Sequence, residues 1–287
     1  MQLAKSWDGK TDIVGWLISE KLNGERAWWD GGITRGRTKE SVPWANTAKD
    51  ARFRESQRST GLWSRGGHVI MAPPDWLDML PQGLPLDGEL YIEGVSRQKI
   101  HTLVAGLRPT FVGVRFHVFD IPNLLPLHYN VDSIVRARYT DRYARLTEIP
   151  GVVAVPQMLV HSAEAALTFA QTVVVAGGEG AMVRDPAAQY INGRTGLILK
   201  IKPTQDAEAT VIGWKMGNGK YEGMLGALHV QMGNVRLFVN LRGDEMREMI
   251  TAPNGAVLPV QYVRGQKVRI EYAGLTDDGI PTEARLA

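Results

Sequence analysis

The run Trp16-Leu17-Ile18-Ser19-Glu20-Lys21-Leu22-Asn23-Gly24-Glu25-Arg26 places a lysine directly after a short apolar strand pattern, with a glycine three residues further on. An amine at the end of a buried strand becomes a nucleophile where desolvation or neighbouring cations lower its pKa. The glycine would let a phosphate approach the backbone closely. Alone, the same letters also suit an ordinary lysine–glycine turn. Four further stretches add to the lysine. Leu86-Asp87-Gly88-Glu89-Leu90-Tyr91 sets carboxylates among strand residues, and Phe116-His117-Val118-Phe119-Asp120 alternates aromatics in the manner of a packed core. Gly178-Glu179-Gly180-Ala181-Met182-Val183-Arg184 brings an acid into a strand between glycines. Leu199-Lys200-Ile201-Lys202 turns two lysines onto one strand face, where like charges repel unless an anion lies between them.

Around these stretches the hydropathy pattern predicts strands at 15–19, 84–92, 113–119, 180–184 and 197–202, each punctuated by glycine or proline. Helices are expected over 74–80, over 132–148, and from a Ser162 cap to residue 176 before Gly177-Gly178. Mixed strands and helices of this kind suggest an α+β domain. Pro203-Thr204-Gln205-Asp206 is the best break. Beyond it the pattern is almost purely β, with strands expected at 207–214, 226–232, 235–240 and 266–272 and one helix-like stretch at 244–250. Short strands at that density suit a small Greek-key barrel of the OB type, a frequent nucleic-acid module.

Composition narrows the function classes. The 287 residues allow about two domains. With no cysteine, disulfide scaffolds, thiol nucleophiles and cysteine zinc sites are excluded. There is no apolar run long enough for a membrane span and no apolar leader after Met1, which together suggest the cytoplasm. The net charge of +3 is modest, but its distribution is not. Residues 34–65 hold eight basic side chains (Arg35, Arg37, Lys39, Lys49, Arg52, Arg54, Arg58 and Arg65) against three acidic ones, with Trp44, Phe53 and Trp63 between them. Such a segment is either a solvated insertion or a phosphate-backbone contact surface.

Taken in order, with Ser64-Arg65-Gly66-Gly67 between the first and second, these stretches resemble the motif set of the covalent nucleotidyltransferases. That superfamily comprises ATP-dependent DNA ligases, RNA ligases and mRNA capping enzymes. Within it the chain most resembles the minimal ATP-dependent DNA ligases of phages and bacteria, over essentially its whole length. Supporting stretches are Ala72-Pro73-Pro74-Asp75-Trp76-Leu77 and Gly219-Lys220-Tyr221-Glu222-Gly223-Met224-Leu225-Gly226, the latter similar to the opening of a ligase OB domain. The resemblance implies an adenylation domain over 1–203, with antiparallel sheets, flanking helices and a basic insertion at about 31–63, and a DNA-binding OB barrel over 206–287. The substrates it implies are ATP, as AMP donor, and nicked double-stranded DNA, with Mg²⁺ or Mn²⁺, in a monomer without membrane attachment.

Residue by residue, Lys21 would accept AMP, and Lys200 and Lys202 would hold its phosphate and assist catalysis. Ser19, Glu20, Leu22, Arg26 and Met182 would line the nucleotide site, with Phe119 stacked on adenine. Glu89 and Glu179 would serve the ribose and the divalent ion. Asn23, Arg65 and Arg194 would meet the nick, and the basic insertion, through Arg52, Arg54 and Arg58, would contact DNA. The missing cysteines argue against the zinc-containing NAD-dependent ligases. Three departures carry expectations. Asn23 stands where the family usually has aspartate, which removes a negative charge near nick and metal. Ser19 stands where larger ligases often carry a glutamate that reads adenine, so the base contact would rest more on backbone. Past Pro281, Arg285 is the single cation after Arg269, where the family has a basic pyrophosphate-orienting motif, so self-adenylation is the step expected to suffer. The alternatives are an RNA ligase or capping-type nucleotidyltransferase, and a nick-binding protein with impaired catalysis.

Overall fold

Two five-stranded sheets form the part of the chain that carries the lysine. The computed structural model describes residues 1–46, 58–106, 109–122, 137–276 and 278–287. The strands of these sheets, in chain order, are β1 (Gln2–Ser6), β2 (Leu17–Glu20), β3 (Glu25–Trp29), β4 (Leu62–Ser64), β5 (Leu86–Tyr91), β6 (Arg115–Asp120), β7 (Val153–Ala154), β8 (Met158–Leu159), β9 (Ala181–Arg184) and β10 (Gly193–Ile201). The order β1-β10-β9-β2-β8 makes one sheet and β4-β3-β5-β6-β7 the other. Side-chain alternation decides what each sheet buries. In the first sheet Ile18, Val183, Leu199 and Ile201 pack with Ala166 and Ala170 of the helix Ala163–Val175. That helix begins where Ser162 accepts a hydrogen bond from the Ala165 N–H at 3.1 Å, satisfying a donor that a helix start leaves open. In the second sheet Ala27, Trp29, Leu86, Leu90, Phe116 and Val118 pack with Trp76 and Leu77 of the short helix Pro74–Leu77 and with Ile100 and Val104 of the helix Arg97–Ala105. Each sheet therefore keeps its opposite face, with its polar residues, for the cleft.

Several elements depart from the sequence expectation. The third helix covers Tyr139–Leu146, and residues 123–136, which include the expected start at 132, lie outside the described residues. Arg142 of that helix is buried, which an amphipathic reading would have turned to solvent. The helix Arg97–Ala105 and the strands β1, β3 and β4 were not anticipated. The basic insertion is partly packed: Val42 and Trp44 lie against Trp28 and Trp63, while residues 47–57, including Arg52 and Arg54, are outside the described residues.

The chain divides into Met1–Ile201 and Lys202–Ala287. In the second unit β11 (Gln205–Met216), β12 (Leu225–Met232) and β13 (Val235–Asn240) join Arg285–Leu286 and Lys267–Tyr272 in a closed barrel of the OB type. Val211, Leu228, Val230, Val239 and Ile270 fill it. Arg285–Leu286 closes the ring, parallel to β13 and antiparallel to Lys267–Tyr272. The stretch expected to be helical at 244–250 is a single 3-10 turn, Glu245–Arg247, followed by the strand Met249–Thr251. Arg247 draws the turn inward, donating to the carbonyls of Leu225, Gly226 and Leu241, and a straight helix would break those bonds. Among the described residues no helix is long and apolar enough to cross a membrane.

Candidate active site

Lys21 follows the last residue of β2, and its backbone N–H donates to the Gly180 carbonyl at 2.9 Å. This bond extends the β2–β9 ladder, so Lys21 is brought beside Glu179, and the ammonium donates directly to the Glu179 carboxylate. Both side chains are about three-quarters enclosed. Glu89 approaches from β5, where its Oε1 accepts the Gly24 N–H at 3.2 Å. Burial pushes the Glu89 carboxyl up to about 7, against the pull of Arg26 and Lys21. Glycine is required at position 24 because a Cβ there would lie 2.3 Å from the Leu90 carbonyl oxygen.

Two rows of side chains face the cleft. Ser19, Met182 and Lys200 are neighbours across β2, β9 and β10, on the face opposite the Ile18–Val183–Leu199 core. Arg26, Glu89 and His117 are neighbours across β3, β5 and β6, opposite the Ala27–Leu90–Phe116 core. Contacts between the sheets show that the two faces bound one space. Arg184 of β9 lies over the Phe119 ring at 4.7 Å, and the Tyr190 hydroxyl donates to Asp87 at 2.6 Å. Asp87 is buried and also accepts two hydrogen bonds from the fork of Arg26, each 2.7 Å. That fixes Arg26 as a wall of the cleft.

The aromatic stripe resolves into two roles that the sequence merged. Phe116 and Val118 point into the core, while His117 and Phe119 share the cleft face. Phe119 is buried, with the guanidiniums of Arg26 and Arg184 against its ring at 4.5 and 4.7 Å. His117 is half-buried, edge-on to Tyr91 at 5.2 Å, and two residues along the strand from Phe119, in the row that holds Glu89. Burial, then the nearby Arg115, lowers the pKa of His117 and favours the neutral ring. His117 is therefore a flat cleft residue that the sequence reading passed over. Period-two alternation could have found it.

The remaining expected residues are more dispersed. Glu20 is exposed, and Leu22 and Asn23 are half-buried in the loop after Lys21. Arg65 is exposed on the turn after β4, and Arg194, exposed on β10, donates to the Ala4 carbonyl at 2.9 Å. Arg58 bonds the Gly36 carbonyl at 2.9 Å, within the base of the insertion. Lys202 opens the second unit, where it pairs with Glu283 at 2.9 Å. Arg285, with Arg242, pairs with Glu271 on the barrel. Among the described residues there is no group of three or more His, Asp or Glu side chains arranged to hold a metal alone. Two carboxylates, Glu89 and Glu179, close to Lys21 fit magnesium instead, which usually takes most of its ligands from substrate phosphates and water.

A strand-end lysine paired with a carboxylate, on a cleft between two sheets and ahead of an OB barrel, is the arrangement that the resemblance to covalent nucleotidyltransferases leads one to expect. No family model matches the chain. It is 26% identical to a DNA ligase of Haemophilus influenzae over 272 residues, which is 94% of this chain and 84% of that protein. It is 33% identical to a probable DNA ligase of Mycobacterium marinum over 114 residues, 39% of this chain but 21% of that protein. Among solved structures, a Lig E DNA ligase superposes with a TM-score of 0.73 at 25% identity, covering 100% of this chain and 97% of that one. Chlorella virus DNA ligase-adenylate shares the fold at a TM-score of 0.50 and 17% identity, over 99% and 95% of the two chains. In sequence and in fold the chain is thus similar to DNA ligases, among them the minimal Lig E enzymes.

Proposed function

We propose that this cleft seals 5′-phosphate/3′-hydroxyl nicks in duplex DNA in three in-line transfers at phosphorus, with Lys21 as the nucleophile. The observation that carries the residue assignment is the contact of the Lys21 ammonium with Glu179, on a loop pinned at both ends. The ammonium must lose a proton before attack, and Glu179 is the acceptor already touching it. Lys21 Nζ then bonds the α-phosphorus of ATP as the bond to pyrophosphate breaks. AMP passes from Lys21 to the 5′-phosphate of the nick. The 3′-hydroxyl attacks that phosphorus, forms the phosphodiester and releases AMP. In such transfers the protein contributes chiefly position and charge neutralisation.

Lys200 and Lys202 serve the AMP phosphate. Glu89 and Glu179 would hold magnesium together with substrate phosphates, and the ion would supply charge neutralisation there. Met182, Phe119 and the neighbouring His117 line the base site, Phe119 as the ring expected to stack on adenine, with the guanidiniums of Arg26 and Arg184 against it. With Ser19 in the neighbouring row, adenine has no carboxylate at that position to read its amino group. Asn23, Arg65 and Arg194 meet the nick. Residues 1–203 act as the adenylation domain and 206–287 as the DNA-binding domain of a cytoplasmic monomer.

Incubation with labelled ATP, GTP or NAD and magnesium, followed by nicked DNA or nicked RNA, tests the reading. Label from ATP should appear on the wild-type chain, be absent from Lys21→Ala, and leave as nicked DNA is sealed. Labelling from GTP alone would overturn it, and DNA binding with no adduct under any condition would favour a nick-binding protein.

A further inference from the structure

The helix Arg97–Ala105 lies outside every motif used above, yet it is tied to the nucleophile loop. Arg97 Nε donates to the Gly24 carbonyl at 3.1 Å, and its guanidinium lies 3.8 Å from the Glu25 carboxylate. One turn further along, His101 Nδ1 lies 3.0 Å from the same Glu25 oxygen. The N–H of Gly24 is meanwhile held by Glu89. Gly24 is thus fixed on both sides, its amide by a cleft carboxylate and its carbonyl by Arg97. It is also pressed so closely on β5 that a Cβ would collide with Leu90. At the other end of the loop Lys21 is fixed through its own amide to Gly180. The arc from Lys21 to Gly24 has little freedom left while both anchors hold.

We infer that Arg97 is a positioning residue: through Gly24 and Glu25 it holds the nucleophile loop in register with Glu89, without touching the nucleotide. The inference rests on the reading of Lys21 as nucleophile. The Arg97 side chain is 59% exposed, and exposed ion pairs contribute little to stability, so its loss should leave the fold in place. Its effect should fall on geometry, and small misplacements of reacting groups slow a reaction far more than they weaken binding.

The experiment compares wild type, Arg97→Ala, Arg97→Lys and, as a control, Lys99→Ala, which alters an exposed position on the same helix. Hydrogen exchange at the Gly24 amide is measured alongside single-turnover formation of lysyl-AMP across ATP concentrations. Arg97→Ala should exchange the Gly24 amide about tenfold faster and lower the maximal adenylation rate about tenfold, with half-saturating ATP changed by less than about twofold. Arg97→Lys, which keeps a cation beside Glu25 but not the rigid fork, should recover part of both effects. Lys99→Ala should match wild type. Unchanged Gly24 exchange in Arg97→Ala overturns the inference whatever the activity. So does a raised ATP requirement at full maximal rate, because Arg97 would then be a nucleotide contact. If wild type forms no lysyl-AMP but Gly24 still loosens in Arg97→Ala, the nucleophile reading fails and the tether stands.

Discussion

Glu89 is the residue where enclosure and chemistry oppose each other. Burial pushes its carboxyl up to about 7, so near neutral pH a large share of it is an uncharged acid that binds a cation poorly. The rate of lysyl-AMP formation should therefore rise about tenfold per pH unit below that value and level off above it, and Glu89→Gln should remove the rise together with most of the activity. Stability responds with the opposite sign. The folded chain holds this proton more tightly than the unfolded one, so the contribution is full below the ordinary value of 4.5 and is lost as pH rises through about 7. A pH–rate profile and urea midpoints at two pH values check both halves; a wild-type rate independent of pH across that range would remove Glu89 from the metal-binding role. Lys21, Glu89, Glu179 and Lys200 stood out in the sequence only as members of an ordered set of short motifs, and of these Lys21 meets Glu179 while Glu89 holds the Gly24 amide. The division of labour between His117 and Phe119 was not legible there. It depends on Arg26 and Arg184, which arrive from two other strands and lie against the ring of Phe119.

Among the elements, the helix Tyr139–Leu146 is docked by charge buried against charge. Arg142 and Asp120 are both almost fully enclosed, and the guanidinium meets the carboxylate at 2.7 and 3.0 Å. Its Nη1 donates to the Ala137 and Ala188 carbonyls. Removing one partner strands the other, so Arg142→Ala should cost about 3–5 kcal/mol in urea unfolding, while replacing both partners by apolar residues of similar volume should cost far less. Equal losses for the single and double variants would show that packing, not pairing, holds the helix. The same pair explains why this helix was hard to read: an arginine at its centre looks like solvent-facing polarity until the Asp120 strand is placed beneath it. A strand with clean alternation, such as β13, was visible because one sheet face is buried and the register follows from period two. The two-residue strand Arg285–Leu286 was not visible, since its pairing is entirely long-range.

At the scale of the whole molecule, a net charge of +3 gives no strong overall attraction for DNA, so binding has to rest on local concentrations of cations. One is the insertion, where Arg52 and Arg54 accompany Arg58 in the sequence and the packed part is anchored on Trp28 and Trp63. Another is the outer surface of the barrel. There His229 stacks on Phe238 at 4.6 Å, Phe238 is 52% exposed, and Lys215, Arg236 and Arg264 lie on or beside the same strands. The two surfaces predict different thermodynamic signatures. Each phosphate contact adds about 0.9 to the slope of log affinity against log salt on duplex DNA, so neutralising Arg52, Arg54 and Arg58 together should lower that slope by about 2 to 3. Phe238→Ala removes apolar contact and no charge. It should weaken nicked-DNA binding by about tenfold with the slope unchanged. Titrations of nicked duplex at several salt concentrations separate the two effects. A triple variant with the wild-type slope would make the insertion a packing device only, and a Phe238→Ala variant of full affinity would move the DNA to another face of the barrel.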